Sequence, residues 1–168
     1  QEGGWVDEAS ELTRDDPRAL AIIDAENRLM TSPHPATIVR FAGIYGNPSG
    51  RLLQRIREGR ICAAEPVRYS NRIHREDCSA FLAHLLRCAH AGETLQPVYN
   101  GVDDCPAPQY EVESWLAREL NALPASTEAV PTRQPAGHKR CRNRLLHASG
   151  YRLRYPEYRV GYRNAIAE

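Results

Sequence analysis

The stretch Ala36–Gly46, ATIVRFAGIYG, decides how the rest of the chain reads. It is rich in β-branched residues and almost continuously apolar, the pattern of a strand buried on both faces in a parallel sheet. A helix precedes it. Asp16-Pro17 is a capping acid followed by proline at the first helical position. Leu20, Ile23, Asn27 and Ile22, Ala25, Leu29 then carry a mixed helical period to about Met30. A second helix follows in SGRLLQRIREG (49–59), with Leu52, Leu53 and Ile56 turned inward and Gly59 as the stop. This helix–strand–helix alternation predicts an α/β fold, part of a doubly wound parallel sheet.

Working outward, 67–73 reads as a short strand. A helix from Glu76 to about Ala91 places Cys78, Phe81, Leu82, Leu85, Leu86 and Ala89 on one face, and Gly92 ends it. PVYNG (97–101) is a further short strand, and APQYEVESWLARELN (107–121) a helix that packs Val112, Trp115, Leu116 and Leu120. Residues 122–137, rich in Pro, Ala, Ser and Thr, read as a surface connection. A short helix near 143–149 closes at Gly150, and a tail rich in Tyr and Arg follows.

A chain of 168 residues fits one domain, and its net charge of +1 argues against a nucleic-acid or membrane-surface binder as a whole. The charge is uneven: residues 1–132 carry a net −6 and residues 133–168 a net +7. Five cysteines, an odd number with no C-x-x-C pair, favour reduced thiols and a cytoplasmic location. No run approaches the roughly 20 apolar residues of a membrane span, and no signal peptide opens the sequence. Its first residue is Gln1 and its one methionine is Met30, so a fragment of a longer protein is expected. Of the 22 basic residues a single one, Lys139, is lysine.

Four groups of residues invite a chemical reading. His84 and Cys88 lie four apart on one helix with His90 nearby, but no third and fourth ligand stand at a metal-site spacing, so no metal is expected. His74, Asp77 and Cys78 are adjacent, whereas nucleophilic triads meet through the fold. In the tail, Tyr151, Tyr155, Tyr158 and Tyr162 interleave with Arg152, Arg154, Arg159 and Arg163. That pattern suits a stacking platform for single strands, but the acidic body favours docking of the tail instead. Finally, in YSNRIHREDCSAFLAHLL (69–86) strand parity puts Arg68, Ser70 and Arg72 on one face, able to grip an anion, and Tyr69, Asn71 and Ile73 on the other. Glu76 and Asp77 suit the first turn of the helix that follows.

TIVRFAGIYG, NRIHREDCSAFLAHLL, VYNGVDD and ASGYRLRYPEYRVGY, in that order, resemble the second half of an extended or atypical short-chain dehydrogenase/reductase, in its NAD-dependent epimerase/dehydratase-like branch. GGWVDE near the start resembles the loop after that family's central strand. The resemblance implies a Rossmann-type doubly wound sheet plus a small C-terminal substrate subdomain, to which 60–100 and 122–160 would contribute. It implies NAD or NADP as cofactor, a nucleotide-sugar-like ligand, and a homodimer contact near 17–30. No G-x-x-G-x-x-G or G-x-G-x-x-G occurs, so residues 1–168 would be the C-terminal portion, with the phosphate-binding half as a missing partner.

Carried over position by position, Arg40, Phe41 and Gly43 fall near the cofactor. Gly43 replaces the family's frequent Asn. Arg68, Asn71, Arg72 and His74 fall near the substrate, with Ser70 where the diphosphate-binding arginine often stands. The catalytic Tyr-x-x-x-Lys pair does not carry over. Aligning its following acid to Glu26 puts Arg18 at the Tyr position and Ile22 at the Lys position. The implied function is an NAD(P)-dependent epimerase/dehydratase-like oxidoreductase with no assigned catalytic residue. A non-catalytic dinucleotide-dependent binding or regulatory protein is the alternative.

Overall fold

A computed structural model describes residues 3–14, 16–122 and 138–167, so the predicted 122–137 connection lies outside them apart from Ala122. Strands pair two by two. β1 (Trp5–Val6) runs parallel to β8 (Arg140–Cys141), β2 (Ile38–Phe41) to β6 (Val98–Gly101), and β3 (Gly43–Tyr45) to β5 (Arg72–His74). β4 (Tyr69–Ser70) and β7 (Ala107–Pro108) pair antiparallel. Between them run α1 (Pro17–Met30), α2 (Arg51–Arg57), α3 (Arg75–His90), α4 (Gln109–Glu119), α5 (Arg144–Ala148) and α6 (Tyr158–Ala167). The β3–β5 crossover carries α2 and the β2–β6 crossover carries α3, the connection parallel strands require.

ATIVRFAGIYG is two strands rather than the single one expected. At Ala42 the chain leaves β6 and takes β5 as its neighbour, with Gly43 N donating to the Asn71 carbonyl at 3.2 Å. Nor is the stretch buried on both faces, for every residue of β2 is half-buried and Ile44 is exposed. Segment 67–73 divides likewise, because at Asn71 the chain exchanges β7 for β3.

Asp16 caps α1 by accepting from Arg18 N at 2.9 Å, and Pro17 opens it. No residue of this helix is fully buried; Leu20, Ile22, Leu29 and Met30 are exposed. Its fixed point is Glu26, whose carboxylate takes both the Nε and Nη2 of Arg40, the latter at 2.6 Å.

Two apolar clusters hold the rest. Leu53 and Ile56 of α2, Val112, Trp115 and Leu116 of α4, and Tyr158 and Tyr162 of α6 form one around Tyr45. Phe81, Leu85, Tyr99, Leu146 and Tyr151 form the other. Glu113, fully buried, braces α4 by accepting from Arg55, Gln109 and Cys62 N. The tail docks as its charge suggests. Tyr151, Tyr158 and Tyr162 are buried, while Arg159 pairs with Glu111 and Arg163 with Glu119. Among the described residues no helix is long and apolar enough to cross a membrane.

Candidate functional site

A cavity of ≈ 400 Å³ opens where β2 and β6 end. Arg40, Phe41, Ala42 and Gly43 line it together with Asn100 and Val102, Tyr69, Ser70 and Asn71, and Lys139 and Cys141, and the 6–12 loop supplies Val6, Asp7, Ser10, Glu11 and Leu12. Such a place at the carboxyl ends of parallel strands is where open α/β sheets bind ligands, because the loops there diverge and leave main-chain groups free.

Each predicted residue has a distinct position. Phe41 and Gly43 line the cavity. Phe41 is seated over Gly101, where any side chain would overlap its ring. Arg40 also lines the cavity, but its guanidinium is held by Glu26, so its charge is already matched. Asn71 stands in the wall with its amide engaged: Nδ2 donates to the Lys139 carbonyl at 2.9 Å and Oδ1 accepts from Cys141 N at 2.7 Å. Arg72 turns inward, 5% exposed, donating to Ser70 and the Cys105 carbonyl and packing on the Tyr158 ring. Arg68 lies on the approach to β4, outside the cavity lining, and its carbonyl accepts from Gln109 N.

His74 is fully buried against Tyr155, and its Nδ1 caps α3 by accepting from Glu76 N at 3.3 Å. The acid at 77 does something other than favour a helix start. Asp77 is fully buried and accepts from Tyr151 Oη, Arg154 N and Tyr155 N, at 2.8, 2.9 and 3.0 Å. It clasps the tail to α3.

A second cavity of ≈ 410 Å³ lies behind the Gly43–Asn71 wall, lined by the 44–53 segment, Arg72, Gln109, Val112 and Tyr162. Elsewhere, Cys88 Sγ and His84 Nε2 are 3.6 Å apart and His84 contacts the Ser149 carbonyl at 2.8 Å. No group of three or more candidate metal ligands occurs among the described residues.

Asn100, Lys139, Cys141 and the 6–12 loop also line the first cavity. Asn100 lies in VYNGVDD and Val6 and Asp7 in GGWVDE, motifs that carry the resemblance without marking a site residue. Lys139 and Cys141 are brought there by parallel pairing of β1 with β8, segments more than 130 residues apart in the chain, and their one local signal is the solitary lysine.

No protein-family model matches the sequence, and no curated protein does either. Solved structures do match. A protein from Methylobacillus flagellatus assigned as an NAD-dependent epimerase/dehydratase superposes over 98% of this chain at 30% identity, with a TM-score of 0.78. A conserved protein of unknown function from Silicibacter pomeroyi superposes over 99% at 33% identity, with a TM-score of 0.80. The chain is thus similar in sequence and fold to an NAD-dependent epimerase/dehydratase, the branch its motifs resemble. It spans 58% and 61% of the lengths of these two relatives. UDP-glucose 4-epimerase from Thermotoga maritima, solved with UDP-glucose, shares the fold at 14% identity and a TM-score of 0.75, over 96% of this chain and 56% of its own. The α/β reading with its Rossmann-type parallel pairs therefore stands.

Proposed function

We propose that the chain supplies the ligand-facing part of an NAD(P)-dependent epimerase/dehydratase-like oxidoreductase that recognises a nucleotide-sugar-like molecule. The observation that carries this reading is the position of the first cavity, at the carboxyl ends of β2 and β6. Its residues suit one end of a dinucleotide. Phe41 and the main chain of Ala42 and Gly43 form an apolar wall against which a nicotinamide ring can lie. The pyrophosphate end finds no glycine-rich turn in this sequence. When bound, the cofactor supplies reversible hydride exchange with a carbon of the ligand. Gly43 and Asn71, which line both cavities, are assigned to ligand contact, with Arg72 behind them as support.

One observation favours the non-catalytic alternative. Arg18 and Ile22, at the positions aligned with Tyr and Lys, point away from the protein as exposed residues of α1, and an apolar Ile22 moves no proton. Calorimetric titration of the full chain with UDP-glucose and with NADPH, followed by product analysis after incubation with both, separates the readings. Binding with a chemically altered sugar supports the oxidoreductase. Binding without turnover leaves the binding protein, failure to bind UDP-glucose sinks the oxidoreductase reading, and failure to bind either molecule sinks both.

A further inference from the structure

We propose that Lys139 recognises the phosphate groups of the ligand, replacing an anion grip that strand β5 no longer offers; this rests on the nucleotide-sugar reading above. The assignment follows from where the cations are. Arg72 is spent inside the fold, between Ser70, the Cys105 carbonyl and the face of Tyr158. Arg68 does not line the cavity. Arg40 lines it but holds the Glu26 carboxylate bidentate on its Nε/Nη2 edge, so its charge is already matched by an acid. Lys139 is the other cation in the lining, half-buried and without an ion pair among the described residues. Its positive charge acts on the Cys141 thiol of the same lining, opposing the upward push of burial there.

The segment that carries Lys139, just before β8, is held on both sides. Arg140 is packed between the rings of Trp5 and Tyr69, 5.0 and 4.6 Å from their centres, and its Nε donates to the Gly3 carbonyl at 2.7 Å. His138 stacks on Tyr69 and accepts from Tyr69 N through Nδ1. Its own carbonyl is taken by Asn71, so Lys139 carries its ammonium on a four-carbon stem from an anchored main chain. A compact ammonium on such a stem suits a phosphate that must enter and leave. Asp7 and Glu11 also line this cavity. Carboxylates repel phosphate but accept from hydroxyls, so a ligand with both chemistries would place its sugar towards the 6–12 loop and its phosphates towards β8.

The test is calorimetric titration of UDP-glucose into the full chain and its Lys139→Met, Lys139→Gln and Lys139→Arg variants, with thermal midpoints as the fold control. The expected result is a loss of about tenfold or more in affinity for Lys139→Met and Lys139→Gln. Lys139→Arg should stay within about threefold of the unsubstituted chain, since it keeps the charge. If all variants bind like the unsubstituted chain, Lys139 is not the phosphate anchor, although the nucleotide-sugar reading survives. Equal loss in all three, with unchanged midpoints, would mean shape rather than charge and likewise overturns the assignment. An unsubstituted chain that binds no UDP-glucose overturns reading and assignment together.

Discussion

Asp103 and Tyr45 each hold a buried side-chain oxygen, Oδ2 and Oη, that has no hydrogen-bond partner among the described residues. For Asp103, 2% exposed, burial pushes the carboxyl up to about 7 against the opposing pull of Arg72. The folded chain therefore keeps a proton, above the ordinary carboxylate range, that the unfolded chain has released. The stability contributed by this group is present at low pH and lost as pH rises towards 7, by up to about 1.4 kcal/mol per unit. Asp103→Asn keeps an acceptor for Cys105 N and removes the titration. Its urea midpoint should gain on the unsubstituted chain as pH goes from 5 to 7.5, and a pH-independent difference would count against the buried carboxyl. Neither adjacent acid advertises this in the sequence. Asp103 and Asp104 look alike there, yet one is buried and the other exposed with Asn143 and His147 on its Oδ1.

Among the elements, α6 sits where it does because residue 161 is glycine. A β-carbon there would overlap Tyr45 Oη, and the Tyr45 and Tyr162 rings are already 4.4 Å apart. Gly161→Ala should lower stability by about 1–3 kcal/mol through overpacking. In the same assay Tyr45→Phe should be neutral or stabilising, because it removes a buried hydroxyl that has no partner; a large loss in both would point to a hydroxyl contact instead. The tail's other anchor is Asp77. Asp77→Ala removes the acceptor for three hydrogen bonds and should cost roughly 3 kcal/mol or more. Hydrogen exchange should rise first at Arg154 and Tyr155, whose amides it holds. Helix positions were legible from apolar period and glycine stops, as with α2 and Gly59 or α5 and Gly150. Strand limits were not, because a change of pairing partner at Ala42 or Asn71 leaves the local apolar pattern unbroken.

Across the whole molecule, α1 stands apart. It is tied by Glu26 to Arg40, yet Ile22 is 61% exposed, and Leu29, on the same face two turns on, is exposed as well. We propose that this face carries the homodimer contact the family resemblance implies. Sedimentation velocity should show association that depends on concentration and is abolished by Ile22→Glu, with thermal midpoints equal at dilutions where both chains are monomers, because the side chain is then in solvent. A persistent monomer at high concentration would remove the proposal.

Local order followed from residues that act on their own neighbours: the Asp16-Pro17 cap, the stop at Gly59, and the charge imbalance that draws the tail onto an acidic body. The expected apolar face of α3 is buried only in part, for Cys78, Phe81 and Leu85 are buried while Leu82, Leu86 and Ala89 are exposed. The likeness to epimerase/dehydratase proteins, too, was readable from the order of a few short motifs. Packing alone assigned the polar residues their work. Arg72 and Asp77 look like ligand and cap residues in one dimension but serve the interior, and Lys139, in an undistinguished loop, comes to line the cavity. The reason is physical. A helix cap or a turn is satisfied within four or five residues, whereas a buried charge is satisfied by whatever distant chain folds against it, and local sequence does not encode that neighbour.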